Sequence, residues 1–73
     1  MKKLTATHVQ VVKMLAQGMK TNTIAQRLCV SPNTVRGHRA EIYHRLGVRN
    51  SSAAVAAAIF DGYITEEEIW QTS

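Results

Sequence analysis

The chain has few of the residues on which secreted and disulfide-bonded proteins depend. Its 73 residues include one cysteine, one proline and four glycines. The single cysteine, Cys29, cannot form an internal disulfide, which fits a reducing compartment. Because it stands between Leu28 and Val30, we expect it to be a small, half-buried filler.

Long apolar runs are missing as well. No stretch combines the length and the freedom from charge that a membrane span needs. The N-terminal segment, residues 1–13, lacks the apolar centre of a secretory signal peptide. These absences predict a soluble, cytoplasmic protein.

No combination of side chains in the sequence predicts catalysis or metal binding. His8, His38 and His44 are expected on different helices or faces, and Cys29 has no partner at the spacing of metal ligands. The sequence shows no Ser-His-acid set, glycine-rich phosphate loop or carboxylate pair, and so small a chain has little room for a substrate cleft. We therefore predict no enzymatic activity, no metal and no cofactor.

What the chain does have is an excess of positive charge. Nine lysines and arginines against five acidic residues give a formal net charge of +4, and the sequence pI is near 9.7. This balance favours a polyanionic partner, although charge alone also occurs in proteins that bind none. The length predicts a single domain over residues 1–73, with a core small enough to benefit from a partner chain.

Apolar spacing and capping residues predict an all-α fold with short turns. The first helix is expected from near Thr5 to Gly18, the second from about Thr21 to Leu28, and the fourth from Asn50 or Ser51 through Asp61. In the first helix we expect Val9, Val12, Leu15 and Ala16 to face inward, with Val11 and Met14 beside them.

A short fifth helix is predicted at the C-terminal end. Thr65 and Glu68 have the spacing of a capping box, and Ile64 with Ile69 has that of a hydrophobic staple. We expect Trp70 to fold back on the core.

The third helix carries the most informative pattern. Ser31 can cap it, Pro32 suits its first position, and Gly47 supplies a left-handed stop. One face carries the residues expected to be buried, which are Val35, His38, Ile42 and Leu46. The opposite face is small and basic, and it consists of Asn33, Arg36, Gly37, Ala40 and His44. This combination is typical of a helix that reads DNA.

The polar residues around this helix divide into two groups. Arg36 can donate two hydrogen bonds to guanine, Asn33 can pair with adenine, and two small residues allow close approach, so the predicted base-reading set is Asn33, Arg36, Gly37 and Ala40. Cations and short polar groups near helix ends suit phosphate, and the predicted backbone-contacting set is Lys20, Thr21, Asn22, Thr34, Arg39, His44, Arg45 and Arg49. The alternative is that Arg36 and Arg39 are ordinary solvated surface charges.

The chain resembles the LuxR-type, or GerE-like, helix-turn-helix domain of bacterial transcription regulators over residues 4–64. The resemblance rests on correctly spaced residues in all four helices: Leu4-Thr5, Leu15-Ala16, Gly18, Ile24-Ala25, Leu28, Val30-Ser31, Thr34-Val35, His38, Ile42, Leu46-Gly47-Val48, Asn50, Ala54-Val55, Ala58, Gly62 and Ile64. It implies a four-helix bundle that binds double-stranded DNA, with Arg36, Gly37 and Ala40 facing bases. The LGV turn and the alanine-rich fourth helix favour this family over region 4 of sigma factors.

The sequence departs from the family at three helix starts. His8, Thr23 and Ala53 stand where family members usually carry an acid, so we expect three capping boxes to lack their acidic half. Each lost interaction could cost up to about 1 kcal/mol of stability.

The fourth helix is apolar on all sides, which predicts that it is covered on all sides. One face can pack on the core, while the outer face requires a second chain and consists of Ala53, Ala56, Ala57 and Phe60. Alanine could also be present only for helix propensity, but that does not explain Phe60. In the family this helix forms the homodimer, which would place two recognition helices about 34 Å apart on a roughly palindromic site.

Two functions are therefore considered. The first is a sequence-specific transcriptional regulator that binds DNA as a homodimer. The second is a protein-interaction module on the same scaffold, for example one that binds RNA polymerase or another regulatory protein. The sequence leaves open whether the regulator activates or represses, and whether the chain is complete or the output domain of a larger protein.

Overall fold

Five α-helices follow one another in the part of the chain that the structure, a computed structural model, describes: residues 3–70, without the side chains of Glu68 and Trp70. The helices are α1 Ala6–Ala16, α2 Thr21–Leu28, α3 Pro32–Leu46, α4 Ser51–Phe60 and α5 Glu66–Trp70. The predicted all-α fold is confirmed, and α5 lies where a short helix was expected. The expected roles of Glu68 and Trp70 fall outside the described side chains. None of the described helices has both the length and the apolar character needed to cross a membrane.

Local capping explains where α3 begins and ends. The Ser31 hydroxyl accepts the backbone N–H of Thr34 at 3.2 Å, and Pro32 occupies the first position, as predicted. Gly47 adopts a left-handed conformation with φ +69°, which lets the Val48 N–H donate to the Tyr43 carbonyl at 2.9 Å. This closure satisfies a carbonyl that the last turn would otherwise leave without a partner.

The box at α1 lacks an acid, as expected, but the predicted loss of a capping interaction there is wrong. Thr5 accepts the backbone N–H of His8 at 3.2 Å, and the His8 Nδ1 atom accepts the backbone N–H of Thr5 at 3.3 Å. A neutral imidazole therefore takes the part that an acid plays in the family. At α4 the box does lack its acidic half, but the Asn50 Oδ1 atom still accepts the N–H of Ala53 at 2.8 Å.

One hydrophobic core joins the helices. α1 packs against α3, α4 and α5, while α2 packs against α3. Because α1 has neighbours on several sides, its buried arc is wider than one stripe, and Val11 is fully buried with Val12 instead of flanking the inner face. The buried apolar residues are Leu4, Val11, Val12, Ile24, Ala25, Val35, Ile42, Ala54, Ala58, Ile64 and Ile69.

A three-residue turn connects α2 to α3, and Cys29 begins it. This side chain is exposed, so the expectation of a half-buried filler is wrong. Cys29 has a left-handed backbone with φ 58°, and the Val30 N–H donates to the Ala25 carbonyl at 3.0 Å. The turn directs the side chain of Cys29 away from the core because the chain reverses there to start α3.

His8 is the buried polar residue of the described chain, with 6% of its surface exposed. Its ring meets that of His38 edge-on, with centroids 5.7 Å apart, so two histidines predicted on separate helices are neighbours. Burial lowers the pKa of His8 below its ordinary value of 6.5. The charges of Arg45 and His38 lower this pKa further, and Glu41 opposes them.

We expect acid to destabilise the fold through His8. The lowered pKa means that the unfolded chain takes up a proton first, so the free energy of unfolding should fall as the pH drops through about 6.5 toward the lower pKa of the folded state. Protonation of Nδ1 would also remove the acceptor for the Thr5 N–H. The variant His8→Gln keeps an amide oxygen as acceptor but does not titrate. Urea unfolding at a series of pH values should show a weaker pH dependence for the variant, and equal dependence would contradict this assignment.

Candidate nucleic-acid interface

The four predicted base-reading residues lie on one exposed face of α3. Asn33, Arg36, Gly37 and Ala40 are all exposed, and none contributes to the core. Arg36 and Ala40 also line an open cleft of about 200 Å³ with Arg39 and Tyr43. The opposite face holds Val35 and Ile42 at full burial, so packing against the core fixes the direction in which this surface points.

Arg36 and Asn33 are joined by a hydrogen bond. The Nη1 atom of Arg36 donates to the Oδ1 atom of Asn33 at 2.8 Å. An asparagine needs its Oδ1 atom and its amide N–H together to pair with adenine. In this arrangement Arg36 occupies one of the two lone pairs of the Oδ1 atom, and the other N–H groups of its guanidinium are not bound to Asn33. Those N–H groups match the two acceptors of guanine.

Gly37 has no role in the packing of the domain. A Cβ atom built at this position would meet no other atom within 4 Å. Glycine inside a helix costs about 1 kcal/mol relative to alanine. The fold therefore gains nothing from glycine here, which is consistent with the predicted close approach of the helix backbone to a partner.

Arg39, predicted to bind phosphate, joins α3 to α2. Its Nη1 atom donates to the Thr21 hydroxyl at 2.9 Å, and its Nε and Nη2 atoms donate to the Tyr43 hydroxyl at 3.3 and 3.1 Å. The guanidinium carbon also lies 5.9 Å from the centre of the Tyr43 ring. Tyr43 was not among the residues predicted to contact DNA. Its spacing from Arg39, four residues along the same helix, was the signal that could have identified it.

The start of α2 supplies further polar groups. Lys20 is its N-cap, and within the described structure the Lys20 side chain makes no capping hydrogen bond. The first backbone N–H groups of α2 therefore do not donate to that side chain. Lys20 and Asn22 are exposed, and Thr21 is half-buried. Uncapped N–H groups at a helix start favour an anion.

The remaining predicted phosphate contacts are spread around α3. Thr34 hydrogen-bonds with Ser31 through their side-chain oxygens at 3.0 Å, while His44 and Arg49 are exposed. Arg45 points toward α1: its guanidinium pairs with Glu41 at 3.1 Å and donates to the Lys3 carbonyl. The structure thus does not bring Arg45 together with Arg36, and its contact with phosphate stays a prediction.

The outer side of α4 is only partly exposed. Phe60 has 90% of its surface exposed, and Ala56 is exposed as well. Ala53 and Ala57, the other two predicted dimer residues, are half-buried within the domain itself. The exposed line along α4 is therefore Ser52, Ala56 and Phe60, spaced four residues apart.

A helix pair joined by a tight turn, with an exposed basic face on the second helix, defines a helix-turn-helix DNA-binding domain of transcription regulators. Within residues 3–70 no three histidine, cysteine or acidic side chains are grouped so that they could hold a metal ion. Residues 2–58 match the family model of bacterial regulatory proteins of the luxR family. The chain belongs to this family, which is one of regulatory proteins and not of enzymes.

Several curated bacterial regulators are similar to the chain. The transcriptional regulatory protein UhpA of Escherichia coli (strain K12) is 45% identical over 60 residues, 82% of this chain and 30% of UhpA. The transcriptional regulatory protein YdfI of Bacillus subtilis (strain 168) is 39% identical over 62 residues, 85% of this chain and 29% of YdfI. The probable transcriptional regulatory protein NarL of Mycobacterium tuberculosis is 39% identical over 56 residues, 77% of this chain and 26% of NarL. The chain thus spans less than a third of these relatives, and no solved structure matches it significantly.

Proposed function

We propose that residues 1–73 form a single domain that binds a roughly palindromic DNA site as a homodimer, with α3 in the major groove. The domain acts in the cytoplasm, where bacterial DNA lies, and regulates transcription. The observation that carries this proposal is the outer face of α3, where Arg36 stands beside two residues without long side chains, Gly37 and Ala40. A helix of this shape fits a groove about 12 Å wide and brings a guanidinium to base edges.

The surrounding charges support a phosphate contact on each side of α3. Lys20 and Asn22 stand at the start of α2, whereas Arg49 follows α3. The formal net charge of +4 provides the long-range attraction that brings a polyanion to this surface. We propose that these residues set the position of the domain on DNA and that Arg36 sets its sequence preference.

The proposal is tested by selection of bound duplexes from a random pool, followed by titration of the enriched site at several salt concentrations. We expect a two-fold symmetric site, with log affinity falling linearly as log salt concentration rises. A pool that shows no enrichment, together with no salt-dependent binding to any duplex, would contradict the proposal.

The exposed Phe60 favours a second candidate function, that of a protein-interaction module. An aromatic side chain with 90% exposure is typical of a contact surface for another protein. The partner that we propose for this second function is RNA polymerase or a regulatory protein. The affinity for such a protein partner would depend little on salt concentration. Titration with purified RNA polymerase at the same salt concentrations, compared with titration of DNA, therefore separates the two functions.

A further inference from the structure

We infer that Tyr43 is a positioning residue for a single phosphate site that α2 and α3 build together, and this inference rests on the proposed binding of DNA. The ligand is one phosphodiester group of the DNA backbone. Arg39 is its cation, Thr21 is its contribution from α2, and the Tyr43 hydroxyl holds Arg39 in place.

Arg39 uses only some of its hydrogen-bond donors inside the domain. A guanidinium has five N–H groups: one on Nε and two on each Nη atom. The Tyr43 hydroxyl accepts from Nε and Nη2, and the Thr21 hydroxyl accepts from Nη1. Three donors are thus used inside the domain, and one N–H remains on each Nη atom. Two free N–H groups of one guanidinium match two phosphate oxygens.

The hydroxyls of Thr21 and Tyr43 contribute donors as well. Both act as acceptors toward Arg39, so each retains its own proton as a donor. Neither Thr21 nor Tyr43 can satisfy that proton by donating back to the guanidinium, because arginine has no acceptor. The cluster therefore has four hydrogen-bond donors available: two N–H groups of Arg39 and the hydroxyl protons of Thr21 and Tyr43. Both hydroxyl oxygens already accept a hydrogen bond from Arg39. An excess of donors over acceptors is the chemistry of an anion site.

The cluster of Thr21, Arg39 and Tyr43 lies beside the predicted base-reading surface. Arg39 and Tyr43 line the open cleft that Arg36 and Ala40 complete, so this edge of the cluster adjoins the predicted base-reading surface. Thr21 is the first residue of α2. A phosphate bound here would touch both helices of the helix-turn-helix unit and anchor it on the DNA backbone without contact with a base. Tyr43 sets this geometry because its hydroxyl holds one edge of the guanidinium with two hydrogen bonds.

The test uses Tyr43→Phe, which keeps the ring but removes the hydroxyl. We expect roughly three- to tenfold weaker binding to all duplexes, the effect of losing one hydrogen-bonded group, with an unchanged base preference. Tyr63→Phe is the matched control, because the Tyr63 hydroxyl also accepts a hydrogen bond, from the backbone N–H of Leu4 at 3.3 Å, but lies outside this interface. Thermal unfolding and circular dichroism establish that both variants fold.

The decisive measurement replaces single phosphates of the selected duplex with neutral methylphosphonates, one position at a time. We expect one position in each half-site where the wild-type chain loses affinity and Tyr43→Phe loses much less. Thr21→Val should reduce the loss at the same position, whereas Tyr63→Phe should not.

Two results would overturn the inference. The first is an unchanged phosphate map in Tyr43→Phe, and the second is a uniform loss at every phosphate, as expected from a purely structural role. If the wild-type chain binds no duplex, the proposed function fails and this inference fails with it. An unchanged map with intact wild-type binding overturns the inference alone.

Discussion

Ala56→Glu should lower affinity for the full palindromic site by about 10²- to 10⁴-fold while leaving affinity for a half-site nearly unchanged. If α4 makes the homodimer, a glutamate on its exposed line faces the same charge across a two-fold axis. The dimer then weakens, and each domain has to bind its half-site independently. In the dimer, binding of one domain raises the effective concentration of the second domain at the other half-site. Because the variant loses this advantage, we expect the fall in affinity to be the largest of our predictions.

The structure determines which position of α4 is suitable for this experiment. Ala57 is half-buried, so a charge there would disturb the domain's own packing as well as its assembly. Ala56 is exposed and next to Phe60 on the same line, so a charge there acts mainly on a partner. Phe60→Ala should weaken the dimer in the same direction, because 90% of its surface is available for burial.

The control for the added charge is Gln10→Glu on α1, another exposed position. It adds the same charge, and the same repulsion from DNA at long range, without altering α4. Sedimentation at several concentrations measures assembly, circular dichroism measures folding, and titration of full and half-sites measures binding. A folded Ala56→Glu variant that binds the palindrome as tightly as the wild type would show that the dimer forms through another surface.

Arg36→Ala should lower affinity for the selected site by about 1–3 kcal/mol and abolish the preference at one base pair in each half-site. The reason is its position on the exposed centre of α3, where a guanidinium can donate to both acceptors of guanine. Arg45→Ala is the control. Because Arg45 pairs with Glu41 and with the Lys3 carbonyl near the start of α1, its loss should affect all sequences to a similar extent.

Asn33→Ala tests whether Asn33 supports Arg36 or contacts a base pair of its own. Since Arg36 donates to the Asn33 Oδ1 atom at 2.8 Å, we expect the asparagine variant to weaken the preference at the base pair that Arg36 reads. The double variant should then be little worse than Arg36→Ala alone, because coupled residues are not additive.

Competition against duplexes with single base changes measures these preferences. Changed preference at a different base pair after Asn33→Ala, with additive losses in the double variant, would instead establish Asn33 as an independent reader of adenine. An Arg36→Ala variant that keeps its full discrimination between selected and scrambled sites would contradict the base-reading assignment for Arg36.

The ends of α3 were the most predictable part of the fold. Ser31, Pro32 and Gly47 predicted the bounds of α3, and the structure confirms them. These signals act over one helical turn, because a cap needs only a side chain and a backbone group three residues away. For the same reason His8 could be identified as the residue opposite Thr5, although its imidazole was not recognised as an acceptor.

The candidate site was predictable as a set of exposed residues but not as a set of contacts. Helical periodicity separates Arg36 and Ala40 from Val35 and Ile42 without knowledge of any other helix. The bond from Arg39 to Thr21 spans 18 positions in the chain and depends on how α2 crosses α3. No local pattern contains that crossing, so the role of Tyr43 in holding Arg39 was missed.

The sequence by itself determined the helices, the caps of α3, the basic face of α3 and the apolar character of α4, since each depends on residues within a few positions of one another. Only the tertiary structure decided that Val11 is fully buried and Cys29 exposed. It also decided that the rings of His8 and His38 meet. The physical reason is that burial depends on how many neighbours surround a helix and where a turn directs the chain, and those neighbours come from distant parts of the sequence.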